Sequence, residues 1–130
     1  MGLGFLLDTN ALLWSLMEPG KLSPKALALV KDSDTRLVVS SASAWEVSIK
    51  YHLGKLRGAE AVIENFSGHL ERLQADVLGI TPAHALAAGA LPRHHRDPFD
   101  RMLIAQARLE RLPLISSDGV FEDYDVEVVW

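Results

Sequence analysis

An α/β fold with a mainly parallel sheet and helices on both faces is what this chain predicts, and three observations predict it. Short runs such as Gly4-Phe5-Leu6-Leu7 and Leu37-Val38-Val39 are apolar at every position, the pattern of strands covered on both sides. These runs alternate with stretches of helical periodicity whose starts carry Asp, Ser or Thr, often with proline next. The alternation runs along the whole chain, with no internal repeat and no low-complexity segment, so residues 1–130 read as one domain.

The first strand, Gly4 to Leu7, ends abruptly in Asp8-Thr9-Asn10. Asn10 to Met17 reads as the first helix, stopped by Pro19-Gly20, which cannot continue it. Either Asp8 or Asn10 can cap that helix, and a cap at Asn10 leaves Asp8 free for chemistry. Ser23-Pro24 opens a second helix, with Ala26, Leu27, Leu29 and Val30 as its apolar stripe up to Lys31. Leu37-Val38-Val39 is the second strand, closed by Ser40 and Ser41. Ala44 to Leu53 has helical spacing, puts Glu46 in a first turn and ends on a well-placed Gly54.

From Ala59 to Leu73 the positions Val62, Ile63, Phe66, Leu70 and Leu73 predict a long amphipathic helix, which Ser67-Gly68 can interrupt. Val77-Leu78-Gly79-Ile80 is a third strand, and Thr81-Pro82 opens an alanine-rich helix to Leu91. Pro92 to Arg96 is loop. Asp97-Pro98 starts a helix through Met102, Leu103, Ala105, Ala107 and Leu109, which Leu112-Pro113 ends. Leu114-Ile115-Ser116 is a fourth strand, Ser117-Asp118-Gly119 a turn, and Val126 to Val129 a last, edge-like strand. Trp14 and Trp45 read as core residues, and His84 as a surface position on its helix.

The bulk numbers bound the chemistry. A chain of 130 residues with 48% hydrophobic content can bury a proper core without staples. With no cysteine there is neither a disulfide framework nor a thiolate metal site, so a metal here takes oxygen or imidazole ligands and an intracellular, cytosolic setting fits best. The opening Met1-Gly2-Leu3-Gly4 lacks the flank and core of a signal peptide, and no run approaches a membrane span. The net charge of −4 argues against tight non-specific binding of nucleic acid, but an acidic pocket holding a cation reverses the local sign. Arg93, His94, His95, Arg96 and Arg101 form the one dense basic cluster in the sequence.

Four acids share a location that propensity does not require. Asp8 and Asp118 follow strands, while Glu46 and Asp100 fall near helix starts just after strands or loops. In a parallel sheet those positions face the carboxyl edge, where sites gather. Like charges so placed repel, and a divalent cation offsets them; carboxylate oxygen suits Mg²⁺ or Mn²⁺. Each acid also has an ordinary reading: helix-dipole partner for Glu46 and Asp100, turn residue for Asp118, N-cap for Asp97. His94 and His95 are adjacent, which suits a loop touching phosphate better than one metal site.

The motifs Leu6-Leu7-Asp8-Thr9-Asn10, Ser43-Ala44-Trp45-Glu46-Val47, Asp97-Pro98-Phe99-Asp100-Arg101-Met102-Leu103-Ile104-Ala105-Gln106-Ala107 and Ser116-Ser117-Asp118 occur in that order over nearly the whole chain. Together they resemble PIN-domain ribonucleases, and more narrowly VapC-type toxins of bacterial toxin–antitoxin pairs. The resemblance implies a three-layer α/β/α fold, RNA cleavage dependent on Mg²⁺ or Mn²⁺, a homodimer, and an antitoxin whose C-terminal segment covers the active site. It carries the family's acids onto Asp8, Glu46, Asp100 and Asp118 as catalytic and metal-binding residues. Asn10 and Asp97, with Ser40 or Ser116 as a strand-end hydroxyl, would be secondary or positioning groups.

On that scheme Asp8, Asp100 and Asp118 hold the metal, and Glu46, read as an exposed carboxylate, binds a second ion or orients water. Arg93, Arg96 and Arg101 are the candidates for RNA phosphate contacts. A partner with a basic tail can insert Arg or Lys among the carboxylates, and apolar residues around Trp14, Leu16, Trp45 and Tyr51 can form its groove if they are not core. Two other classes remain: a catalytically silent PIN module that only binds a partner, and a receiver-like signalling module. The second wants adjacent acids after strand one and a lysine after a late strand, where this chain has Asp8-Thr9-Asn10 and Ser116-Ser117-Asp118. An Asp-x-Asp phosphatase is disfavoured by Asn10 at the second acid's place.

Overall fold

The computed structural model describes residues 4–130, so the reading of Met1 to Leu3 lies outside the described residues. The order of elements is β1 (Gly4–Leu7), α1 (Thr9–Met17), α2 (Pro24–Lys31), β2 (Arg36–Ser40), α3 (Ser41–His52), α4 (Glu60–Glu64), α5 (Phe66–Leu73), β3 (Ala75–Leu78), α6 (Pro82–Ala90), α7 (Pro98–Glu110), β4 (Leu114–Ile115) and β5 (Val128–Val129). Short 3₁₀ turns at Pro19–Lys21 and Gly119–Asp123 complete it. The five strands pair in parallel throughout, in the order β3-β2-β1-β4-β5. The fold class expected from the sequence is the one observed.

Alternation along the strands divides the core in two. Phe5, Leu7, Leu37, Val39 and Ile115 point to one side, where they bury Leu12 of α1, Ala26 of α2 and Leu70 of α5. Leu6, Val38 and Leu114 point to the other, against Leu103, Ile104 and Ala107 of α7, with Phe121 and Tyr124 closing the layer. A strand buried on both faces needs no polar position, and this explains the uninterrupted apolar runs.

Several sequence readings change in detail, each for a physical reason. The helix expected over Ala59 to Leu73 is two helices, and the break is at Asn65 (φ −141°, ψ 56°) instead of Ser67-Gly68. Asn65 caps α5 by accepting from the Gly68 N–H at 3.2 Å, and a Cβ at Gly68 would lie 2.4 Å from the Asn65 side chain. The glycine therefore serves the cap and is not itself the interruption. β3 begins at Ala75, two residues earlier than expected, because Ala75 to Leu78 pair with Leu37 to Ser40. As an edge strand it tolerates Asp76, which pairs with Arg36 at 3.0 Å. β5 is only Val128–Val129, and Gly54 follows the last residues of α3 with φ +77°, as expected of a helix stop.

His84, read as a surface residue, is buried. Its Nδ1 accepts the Thr81 N–H at 3.0 Å and the Thr81 hydroxyl accepts the His84 N–H at 3.1 Å, a capping box on α6. That bond places the ring proton on Nε2, which meets Glu110 Oε2 at 3.0 Å. Trp45, read as core, is 61% exposed and sits edge-on to Phe99, while Trp14 is half-buried against Trp130. Periodicity marks both positions as apolar, but only the neighbouring elements decide whether anything covers them.

Candidate active site

The chain winds from β1 to β2 and β3 on one side and then crosses to β4 and β5 on the other, so β1 and β4 flank the switch point of the sheet. The crevice beyond their carboxyl ends is where folds of this kind place a site. Asp8 follows β1 and is 5% exposed. Its Oδ1 accepts the Ala11 N–H at 2.7 Å, so Asp8 itself caps α1, while Asn10 is exposed and does not. Capping and site membership are compatible, because a carboxylate has a second oxygen. Ser116, buried just after β4, also hydrogen-bonds the Asp8 carboxyl and accepts the Asp118 N–H at 3.0 Å. One hydroxyl thus ties two of the expected acids to the sheet.

Glu46 enters from α3. Ser40 is both the last residue of β2 and the N-cap of that helix, accepting the Ala42 N–H at 3.0 Å, so the helix begins earlier than the spacing predicts. Glu46 therefore stands in the second turn, not the first, and is buried rather than exposed. Its Oε1 accepts from the Thr9 hydroxyl at 2.6 Å, and its Oε2 pairs with the Lys50 ammonium at 2.8 Å, one turn along the helix. Thr9 also meets the Ser43 hydroxyl at 3.0 Å. Neither Thr9 nor Lys50 was singled out by sequence; the only signal was their spacing, next to Asp8 and four residues beyond Glu46.

Asp100 lies in the first turn of α7. Asp97 is the N-cap of that helix and accepts the N–H groups of Phe99 and Asp100 at 2.8 and 3.2 Å. His95 Nε2 contacts Asp100 Oδ2 at 2.7 Å. Among the described residues, the one set of three candidate ligand atoms within 4.8 Å of one another is His95, Asp97 and Asp100. No three of Asp8, Glu46, Asp100 and Asp118 approach that closely. Asp118 is exposed, and its Oδ1 accepts the Val120 N–H at 3.0 Å as the cap of the 3₁₀ turn.

The electrostatics nevertheless couple these acids. Burial pushes the Asp8 carboxyl from 3.8 up to about 6, opposed by its hydrogen bonds to Ser116 and Ala11 and reinforced by the charges of Asp100 and Asp118. Asp100 also rises to about 6, chiefly through burial, with His95 opposing and Asp97 and Glu46 adding to it. Two carboxyls held from water beside further carboxylates are what a divalent cation would relieve, and an all-oxygen donor set with one nearby imidazole fits Mg²⁺ or Mn²⁺.

The basic cluster is only partly available to a ligand. Arg93 and Arg96 are exposed and, with Gly89, His95 and Arg101, line an open cavity of about 550 Å³. Arg101 differs from the other two arginines. Both of its Nη groups donate to main-chain carbonyls of the same loop and of α6, whereas Arg93 and Arg96 stand exposed.

These features define a class. The model of the PIN domain family matches residues 5–127, and the chain belongs to that family. This sets aside the receiver-like module. Within the family, the chain is 35% identical to Ribonuclease VapC16 of Mycobacterium tuberculosis over 57 residues, a match that spans 44% of this chain and 40% of that protein. Two solved structures share the fold over nearly their full length. One is VapBC2 from Rickettsia felis bound to a promoter DNA fragment (13% identity, TM-score 0.67, 98% of each chain). The other is a toxin–antitoxin complex from Klebsiella pneumoniae (20% identity, TM-score 0.67, 97% of this chain and 96% of that one).

Proposed function

We propose that the chain is a Mg²⁺- or Mn²⁺-dependent endoribonuclease and the toxin of a toxin–antitoxin pair. The observation that carries the reading is the pairing of the buried Asp8 with the partly buried Asp100, two carboxyls raised to about 6 and coupled to each other beside the switch point of the sheet. Membership in the PIN family and the ribonuclease named among its relatives support the same activity. Asp8, Asp100 and Asp118 would hold the ion, with Glu46, Asp97 and His95 near it. When bound, a divalent cation lowers the pKa of water and stabilises charge on the phosphate and the departing oxygen.

The chain's own residues do the rest. Ser116 and the Ala11 N–H fix the Asp8 carboxyl, while Thr9 and Lys50 hold Glu46 in place. Because both Glu46 oxygens are already engaged, its role is to orient water or a neighbouring group rather than to accept a proton. Arg93 and Arg96 contact phosphates flanking the scissile bond, and an unpaired RNA region is the substrate, since its bases and backbone are accessible to a crevice.

The partner is an antitoxin that covers the site with a basic C-terminal segment, a reading supported by the toxin–antitoxin complexes among the structural neighbours. A homodimer and a cytosolic location complete the reading, and no described helix is long and apolar enough to cross a membrane. Purified protein incubated with tRNA, rRNA and mRNA in Mg²⁺, Mn²⁺ or EDTA tests it. Cleavage in either metal that stops in EDTA and in Asp8→Ala is expected. Intact RNA under every condition would leave a silent, partner-binding PIN module instead.

A further inference from the structure

We infer that Arg101 is a positioning residue, a clamp that builds the phosphate-binding loop at residues 91–96 without touching RNA itself. This rests on the nuclease reading for its purpose, but not for its geometry. α6 ends at Ala90 with no basic residue in its last turn, which leaves its final carbonyls without partners inside the helix. Arg101 supplies them from α7. Its Nη2 donates to Ala88 O and Leu91 O at 2.9 Å and approaches Gly89 O at 3.4 Å. Its Nη1 donates to Pro92 O at 3.0 Å and His95 O at 3.1 Å.

Five carbonyls around one guanidinium is a use that only a planar fork of donors can serve, and it places a cation at the negative end of α6. The same loop is pinned a second time by the buried Tyr124, whose hydroxyl donates to Pro92 O at 3.0 Å and whose ring meets His94 edge-on. Between these anchors the loop presents Arg93 and Arg96 to the cavity and His95 to Asp100. Arg101 follows Asp100 directly, so one helix turn carries a site acid inward and the clamp outward. With both Nη groups turned to carbonyl oxygens, Arg101 keeps only its Nε–H outside the clamp and has no pair of donors for a two-point grip on a phosphate.

The test combines two readouts on the full chain, with folding checked by circular dichroism and Arg101→Lys carried beside Arg101→Gln in case the latter does not fold. The first is limited trypsin cleavage after Arg93 and Arg96. Loss of the clamp should raise the cleavage rate about tenfold or more, since cutting follows the population of the opened loop. An unchanged rate in both variants overturns the inference. The second is the salt dependence of binding to a fluorescent single-stranded oligouridine in EDTA. Arg101→Gln should weaken binding, yet add nothing to the salt slope once Arg93 and Arg96 are both Gln. A further fall of about 0.7 in the triple variant means that Arg101 meets a phosphate, and the inference fails. If the wild-type chain shows no salt-dependent binding, the nuclease reading fails, while the trypsin rates still decide the clamp.

Discussion

Asp8 shows how one residue can hold two jobs. Its first oxygen caps α1 and its carboxyl as a whole sits where burial and neighbouring acids oppose ionisation. The raised value, about 6 against 3.8, means the folded state binds the proton more tightly than the unfolded state. Stability is therefore fully present below about 4 and is lost as pH rises towards and through about 6. In EDTA, Asp8→Asn should melt higher than wild type at neutral pH, by on the order of 2 kcal/mol, and the gain should vanish below about pH 4. A melting difference that is constant across that range contradicts the assignment. The same variant should lose RNA cleavage while staying folded. Thr9→Val removes the hydroxyl that donates to the buried Glu46, and leaves that carboxylate short of one partner. The expected cost is about 1–3 kcal/mol in urea unfolding, together with reduced cleavage. Asp8 and Glu46 were legible as candidates because acids beside apolar runs are unusual; Thr9 and Lys50 were not, because a hydroxyl or a lysine in a helix has many ordinary uses.

At the scale of elements, most of the boundaries follow from caps. Ser23-Pro24, Thr81-Pro82 and Asp97-Pro98 each begin a helix where the sequence places it, since the cap side chain and the proline act within one turn. Asp97→Ala should cost about 1 kcal/mol through the two N–H groups it leaves unpaired, whereas Asp97→Asn keeps the cap and should unfold near wild type. Comparing cleavage by those two variants separates the cap from any part the second Asp97 oxygen plays beside Asp100. The misread elements share a cause. The split at Asn65, the early start of β3 and the second-turn position of Glu46 depend on a side-chain cap or a strand register that hydrophobic spacing does not record. Arg101 is the clearest case, because a basic residue in a basic cluster reads as a phosphate contact until the carbonyls around it are seen.

For the molecule as a whole, the coupled acids predict a response to cations. Adding Mg²⁺ or Mn²⁺ at neutral pH should raise the melting temperature of wild type by binding only the folded state, and should do so much less in Asp8→Asn. An equal rise in both proteins would locate the binding elsewhere, and the His95, Asp97 and Asp100 group is the place to look next. By itself the sequence determined the fold class, the order of strands and helices along the chain, and the kind of chemistry four acids at strand and helix ends imply. These are local matters, fixed by burial on two faces and by caps acting over a few residues. The tertiary structure alone decided that β1 lies between β2 and β4, and so which acids share a crevice. It also decided that Glu46 is held by Thr9 and Lys50, that His84 is buried while Trp45 is exposed, and that Arg101 faces carbonyls. Each of these depends on contacts between residues far apart in the chain, or on which neighbour covers a face, and no periodicity encodes that.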